Sequence, residues 1–238
     1  MIADQEIREA LGLQVPWLPL DPSRTALILV EFIYGHMDPN FGAGRQLAAA
    51  DIDGSYFFTQ CSERVLPHGR LLAEELRPRG GKVLVTSTGS AFGDYKEIAP
   101  GVRPVIEARG HRKGSREVAV LDGVADVVDI VVNKVGSGAW ATTNIDDILR
   151  FSGVDTLLFA GVHTHGAVLM SAHWAWDLGY ETIVVSDACT TLGDRLHQRA
   201  LSLFRNLGIR VHETHDVLSA LLDSDAKHHS DLENRKDQ

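Results

Sequence analysis

The sequence predicts an α/β protein: a doubly wound, mainly parallel six-stranded open sheet with helices on both faces. Three observations predict it. Six short runs are rich in Val, Ile and Leu at consecutive positions, so both faces of each strand are apolar and both need covering. Amphipathic segments with helix start and stop signals lie between them. The alternation of strand and helix then implies parallel pairing through right-handed crossovers.

In chain order, the first strand is expected over residues 25–32 and a helix over 63–77, followed by a strand over 82–86. A third strand is expected over 127–134, then a helix over 144–152 behind a Thr143 cap and a strand over 155–161. A helix over 165–178 stops at Gly179, a strand occupies 181–186, a helix over 194–207 stops at Gly208, and the last strand spans 209–213. Residues 89–118 stand apart. They carry five glycines, Pro100 and Pro104 amid mixed charge, and read as a long irregular excursion that roofs a site. No Pro/Ser/Gly linker and no internal repeat divides the chain, so residues 1–222 form one domain, and the polar residues 223–238 are a frayed tail without a role.

Composition narrows the function classes. The net charge of −9 argues against a surface that neutralises phosphates or anionic lipid, so neither nucleic acid nor membrane is an expected partner. The longest apolar stretch, residues 26–30, is far short of the roughly 20 residues a membrane span needs. Cys61 and Cys189 offer no paired CxxC spacing, and the acidic N-terminus has no export signal, so a cytoplasmic protein is expected. There is no GxGxxG or Walker loop after a strand, and no organic cofactor is implied.

In an open α/β sheet, ligands bind beyond the carboxyl ends of the strands. Glu31 closes the first strand, and Lys134 closes the third. The fourth runs through Gly161 into His163-Thr164-His165-Gly166-Ala167 and a helix start, whose N–H groups suit an anion or a polarised carbonyl. A carboxylate, an ammonium and a helix N-terminus sharing one rim suggest a site; a buried structural ion pair is the plain alternative.

Four segments carry a resemblance: Thr-Ala-Leu-Ile-Leu-Val-Glu-Phe at 25–32, Asn-Lys-Val-Gly-Ser-Gly-Ala-Trp at 133–140, Gly-Val-Asp-Thr-Leu-Leu-Phe-Ala-Gly-Val at 153–162, and Asp-Leu-Gly-Tyr-Glu-Thr-Ile-Val-Val-Ser-Asp-Ala-Cys at 177–189. In this order, from residue 24 to 222, they resemble the isochorismatase-like hydrolase superfamily. The segment at 38–44 is similar to its N-carbamoylsarcosine amidohydrolase branch. Most members are implied to work through an Asp, a Lys and a nucleophilic Cys. Alignment on Gly161-Val162 puts Ala167 at the place of that Cys, so no thiol is available there. Cys189 matches a non-catalytic family position, and Cys61 reads as helix packing.

Residues 163–170 resemble the motif of the Cys-lacking branch, the true isochorismatases, with His165 on the family His and Ala167 on the small residue. Those enzymes hydrolyse a vinyl ether with water. The resemblance implies Glu31, Lys134 and His165 as catalytic residues. His163, Thr164, Gly166, Ala167, Trp140 and Tyr34 are implied around the substrate, with a cis peptide before His163. The family acid is Asp; Glu31 is one methylene longer, moving the carboxyl by about an ångström. Glu31 as proton donor and Glu31 as general base both remain open, with water as nucleophile either way.

His163 and His165, with His36 or Glu31, form only a weak metal-ligand signal, and no metal is assigned. His173 is expected to pack within its helix, and Trp174 and Trp176 to pack or to make a subunit contact in a homo-oligomer. An acidic small-molecule substrate needs cationic anchors; Lys96, Arg103, Arg109, Arg112, Lys113 and Arg116 are available in the excursion, with no basis for choosing among them. Three functions are carried forward: a Cys-independent hydrolase of a small organic substrate, an amide, carbamoyl or lactam hydrolase using activated water, and a non-catalytic ligand-binding relative.

Overall fold

Every residue of strand β1 (Thr25–Val30) is buried, and alternate side chains leave toward opposite faces. Leu27 and Leu29 enter one apolar cluster, while Ala26, Ile28 and Val30 enter another. Such a strand needs a layer on each side, which the computed structural model supplies; it describes residues 20–224. β1 is joined by β2 (Lys82–Thr88), β3 (Ile130–Lys134), β4 (Thr156–Val162), β5 (Glu181–Thr190) and β6 (Arg210–His212). All neighbours pair in parallel, in the order β3-β2-β1-β4-β5-β6. This is the doubly wound α/β sheet expected.

One face is covered by a long helix, Ser55–Gln60 continuing through Cys61–Val65 and Leu66–Leu76, and by the helical residues 214–224. Helices Ile145–Phe151, Leu169–Asp177 and Asp194–Asn206 cover the other. The strand order reverses between β1 and β4, where Val30 lies opposite Gly161, so Glu31 and the residues after Val162 leave the sheet side by side. A Cβ on Gly161, whose φ is +127°, would lie 2.1 Å from the Val30 carbonyl oxygen; only glycine lets β4 approach β1 this closely.

Several elements differ from expectation for local reasons. The helix expected over 63–77 already begins at Ser55, whose N–H is accepted by the Asp53 carboxylate at 2.8 Å. It widens into a π-turn at Cys61–Val65 just before Pro67, which has no N–H to continue the ladder; Leu66 N–H reaches back to the Cys61 carbonyl. β3 starts at Ile130, and Ile130 and Val131 are exposed, because an edge strand has no second layer over them. The helix expected over 165–178 is broken at Gly166 into a π-turn, Thr164–Val168, and Leu169–Asp177.

Tyr34–Met37 and Gly42–Ala49 form two helices missed in the sequence, and Arg103–Ala108 is a short helix inside the irregular excursion. Trp174 and Trp176 are exposed rather than core, and His173 stacks on Trp176. Residues 225–238, most of the expected tail, lie outside the described residues. Among the described residues no helix is long and apolar enough to cross a membrane.

Candidate active site

Glu31 leaves β1 with a left-handed backbone, φ +58°, while its N–H bonds to the Thr86 carbonyl at 3.0 Å. That conformation costs a non-glycine residue about 1–3 kcal/mol and persists where the surroundings enforce it. Here it turns the carboxyl group across the end of the sheet toward β2 and β3. The group is 1% exposed. Oε1 pairs with Lys134 Nζ at 2.5 Å and accepts the Thr88 hydroxyl; Oε2 accepts the Thr88 N–H at 3.2 Å and lies 3.4 Å from His36 Nε2. Lys134 Nζ also donates to Thr88 Oγ1 and, at 3.1 Å, to the Gly136 carbonyl, so the three N–H groups of the ammonium all have partners. Every hydrogen bond to Glu31 is one that a carboxylate accepts.

Four imidazoles surround this pair. Burial, with His111, Arg109, His163 and Lys134 nearby, holds His36 well below the ordinary histidine value of 6.5. His111 is fully buried, with Nδ1 3.0 Å from the Thr88 carbonyl oxygen, and burial lowers it too, against an opposing pull from Glu31. His163 stacks on Phe57 at 4.8 Å and is pushed down to about 3, chiefly by burial and then by Arg109 and His165. His165 stands at the rim, lowered by partial burial, with Nδ1 2.6 Å from the Thr191 hydroxyl. The same hydroxyl lies 3.5 Å from His163 Nδ1, so Thr191 ties the two rings together.

A cavity of about 180 Å³ opens over these groups. Glu31, Lys134, His163, His165, Gly166 and Ala167, all expected at the site, line it. Its roof comes from the excursion, as Gly101, Val102, Val105, Ile106 and Arg109. Val162–His163 is the cis peptide that the resemblance implies. The N–H groups of Gly166 and Val168 both bond to the His163 carbonyl, so two donors expected to face a ligand are already engaged.

Three expected residues lie elsewhere. Trp140 follows Lys134 closely in sequence, but the 3₁₀ turn Trp140–Thr142 carries its ring into the core beside Phe159 and Tyr180. Tyr34 packs on Phe41 under the Arg116 guanidinium and does not line the cavity. Thr164 sits between two cavity-facing residues and so points away, into a buried contact with His197 Nδ1 at 2.9 Å.

Conversely, Thr88 and His36 line the cavity without being expected as binding or catalytic residues, and Arg109 is the one of the six candidate anchors that reaches it. The sequence offers His36 only as a weak metal-ligand candidate. Among the described residues no three His, Cys, Asp or Glu side chains are grouped to hold a metal ion. Neither cysteine reaches the cavity: Cys61 is buried in its helix and Cys189 in β5, where burial pushes its thiol up to about 12.

Comparison with known proteins agrees with this architecture. The isochorismatase domain model matches residues 56–216. The isochorismatase family protein YecD of Escherichia coli O157:H7, itself described as uncharacterized, is 30% identical over 209 residues, covering 86% of this chain and 100% of that protein. The ureidoacrylate amidohydrolase RutB of Rhizobium rhizogenes is 31% identical over 199 residues, 77% of each chain. Among solved structures, a cysteine hydrolase from Pseudomonas syringae superposes with a TM-score of 0.71 at 19% identity, over 88% of this chain and 97% of that one, a likeness of fold. The domain match over residues 56–216 and a relative 30% identical along its whole length settle the family: this chain belongs to the isochorismatase family.

Proposed function

We propose that the protein is a hydrolase of a small organic substrate that uses water in place of a cysteine nucleophile, with Glu31 as the proton-handling group and Lys134 as its charge partner. The observation that carries this reading is the cavity lining: a buried carboxylate and ammonium at the carboxyl ends of the strands, and Ala167 rather than a thiol beside them. The cavity is smaller than the roughly 300–1,000 Å³ that drug-sized ligands occupy, which favours a small substrate.

For an enol ether the chemistry balances with one water. Glu31, entering the step with a proton on its carboxyl group, gives that proton to the terminal enol carbon; water oxygen bonds to the oxygen-bearing carbon, and water's surplus proton returns to the Glu31 carboxylate. The resulting hemiketal then opens to a carbonyl compound and an alcohol. Lys134 and Thr88 hold the carboxyl group in place through each transfer. His165, held through Nδ1 by Thr191, presents its other nitrogen as a second donor or acceptor at the rim.

A second reading is favoured by the amidohydrolase names among the relatives. Water deprotonated by Glu31 adds to an amide or carbamoyl carbon, and the same proton passes to the leaving nitrogen. Turnover of isochorismate beside a panel of small amides and carbamoyl compounds, by wild type, Glu31→Gln and Lys134→Ala with and without chelator, separates the two. Consumption of isochorismate that Glu31→Gln abolishes supports the ether reading, and cleavage of an amide instead moves the assignment to the second. No turnover anywhere, with ligand-dependent stabilisation intact, leaves a binding protein.

A further inference from the structure

The charges around the cavity do not cancel. Glu31 and Lys134 neutralise each other, and burial holds the surrounding imidazoles toward their neutral forms. Arg109 remains. Its Nε donates to the neutral Gln46 Oε1 at 2.9 Å, and Nη1 lies 3.4 Å from His36 Nδ1. That places a neutral ring between Arg109 and Glu31, since the other nitrogen of His36 is the one 3.4 Å from Oε2. Among the described residues no carboxylate lies within ion-pair distance of Arg109. Two of its five N–H groups are engaged, and the rest of the fork belongs to a side chain that lines the cavity.

Burial opposes the Arg109 charge, and the Glu31 carboxylate, already paired with Lys134, offsets it only from a distance, so a half-buried cation with no ion pair of its own is unfavourable until an anion joins it. The planar guanidinium fork matches two oxygens in a plane, and beside it Val102, Val105 and Ile106 offer an apolar wall. Resting on the hydrolase reading for the cleavage and on this geometry for the recognition, we infer that Arg109 anchors the carboxylate of a short-chain organic acid. The scissile bond of that substrate then lies a few bonds from its carboxylate, one imidazole's width away at Glu31 and Lys134.

Binding of unreactive probes tests this apart from turnover. Crotonate, its neutral counterpart crotyl alcohol and inorganic phosphate are titrated calorimetrically into wild type, Arg109→Gln, Arg109→Lys and Glu31→Gln. Crotonate is expected to bind wild type and Glu31→Gln, to weaken about tenfold or more in Arg109→Gln, and to recover in part in Arg109→Lys. Crotyl alcohol is expected to bind weakly and equally to all. Absence of crotonate binding, equal binding to wild type and Arg109→Gln, or phosphate bound more tightly than crotonate overturns the assignment. If Arg109→Gln does not fold, preference of wild type for crotonate over crotyl alcohol decides. Arg109-dependent crotonate binding with no turnover of the substrate panel overturns the hydrolase reading and leaves the carboxylate anchor standing; Glu31-dependent turnover without Arg109-dependent binding does the reverse.

Discussion

The two ends of this sheet make an instructive pair, because both carry a cavity and both carry opposite charges. At the amino ends of the strands, a cavity of about 350 Å³ is lined by Asp21, Arg24, Asp155, Glu181 and Arg210. At the carboxyl ends the cavity is only about 180 Å³. Size favours the amino end, and burial of charge favours the carboxyl end. The Arg24 and Asp155 side chains, paired through Nε at 2.8 Å, are 54% and 48% exposed, so solvent screens their charges. Glu31 and Lys134 are each 1% exposed, and their field acts in a medium of far lower polarity. The topology explains the difference: Glu31 and His163 emerge where the strand order reverses, and helix Arg103–Ala108 covers them.

The largest expected effect lies in turnover. Glu31→Gln should lower kcat on whichever substrate is found by about 10²–10⁴-fold, the usual contribution of a positioned acid–base group. Asp155→Asn at the opposite end should leave kcat unchanged, and a comparable loss there would erase the distinction between the ends. Stability comes next. Lys134→Ala strands a buried carboxylate and should cost about 3–5 kcal/mol in denaturant unfolding, whereas Arg24→Ala, losing a pair open to solvent, should leave the midpoint close to wild type.

The smallest effect is a slope. The His163 imidazole sits at about 3 in the folded chain, below its ordinary 6.5, so on acidification the unfolded chain takes up the proton first. Stability present above about pH 6.5 is therefore lost as pH falls toward 3, by up to about 1.4 kcal/mol per pH unit for this group. Denaturant midpoints at about pH 7 and about pH 5 should separate more for wild type than for His163→Asn. Equal separations would show that His163 is solvated and that the carboxyl-end cavity is wetter than its lining suggests.

Much of this was legible in the sequence because strand interiors and strand ends differ in composition. The apolar runs located all six strands, and Glu31 and Lys134 declared themselves as charges closing such runs. What escaped depends on partners distant in sequence. Thr88 was hidden because Ser87 and Thr88 look like the loop after a strand, yet pairing with Asn133 and Lys134 extends β2 through them. Arg109 was one of six equivalent cations until a helix of six residues turned it into the cavity. Trp140 and Tyr34 show the opposite error, since nearness in sequence to Lys134 and Glu31 did not become nearness in space. Thr164 was misjudged by a strand's alternation at its exit, which sends every second side chain the other way.

Thr88 gives the site a dependence that no single substitution reveals. Its N–H and hydroxyl hold Glu31, its hydroxyl oxygen receives Lys134, and its carbonyl oxygen faces His111. The fit among the first three strands is thus also the alignment of the proposed acid–base pair: a slip of β2 by one residue, about 3.3 Å, would offer Ser87 or Gly89 to Glu31 and dismantle all four contacts at once. Divergence within this fold is then asymmetric. The roof over residues 101–109 can be exchanged to suit another molecule, but the sheet beneath must be inherited as a single mechanical part.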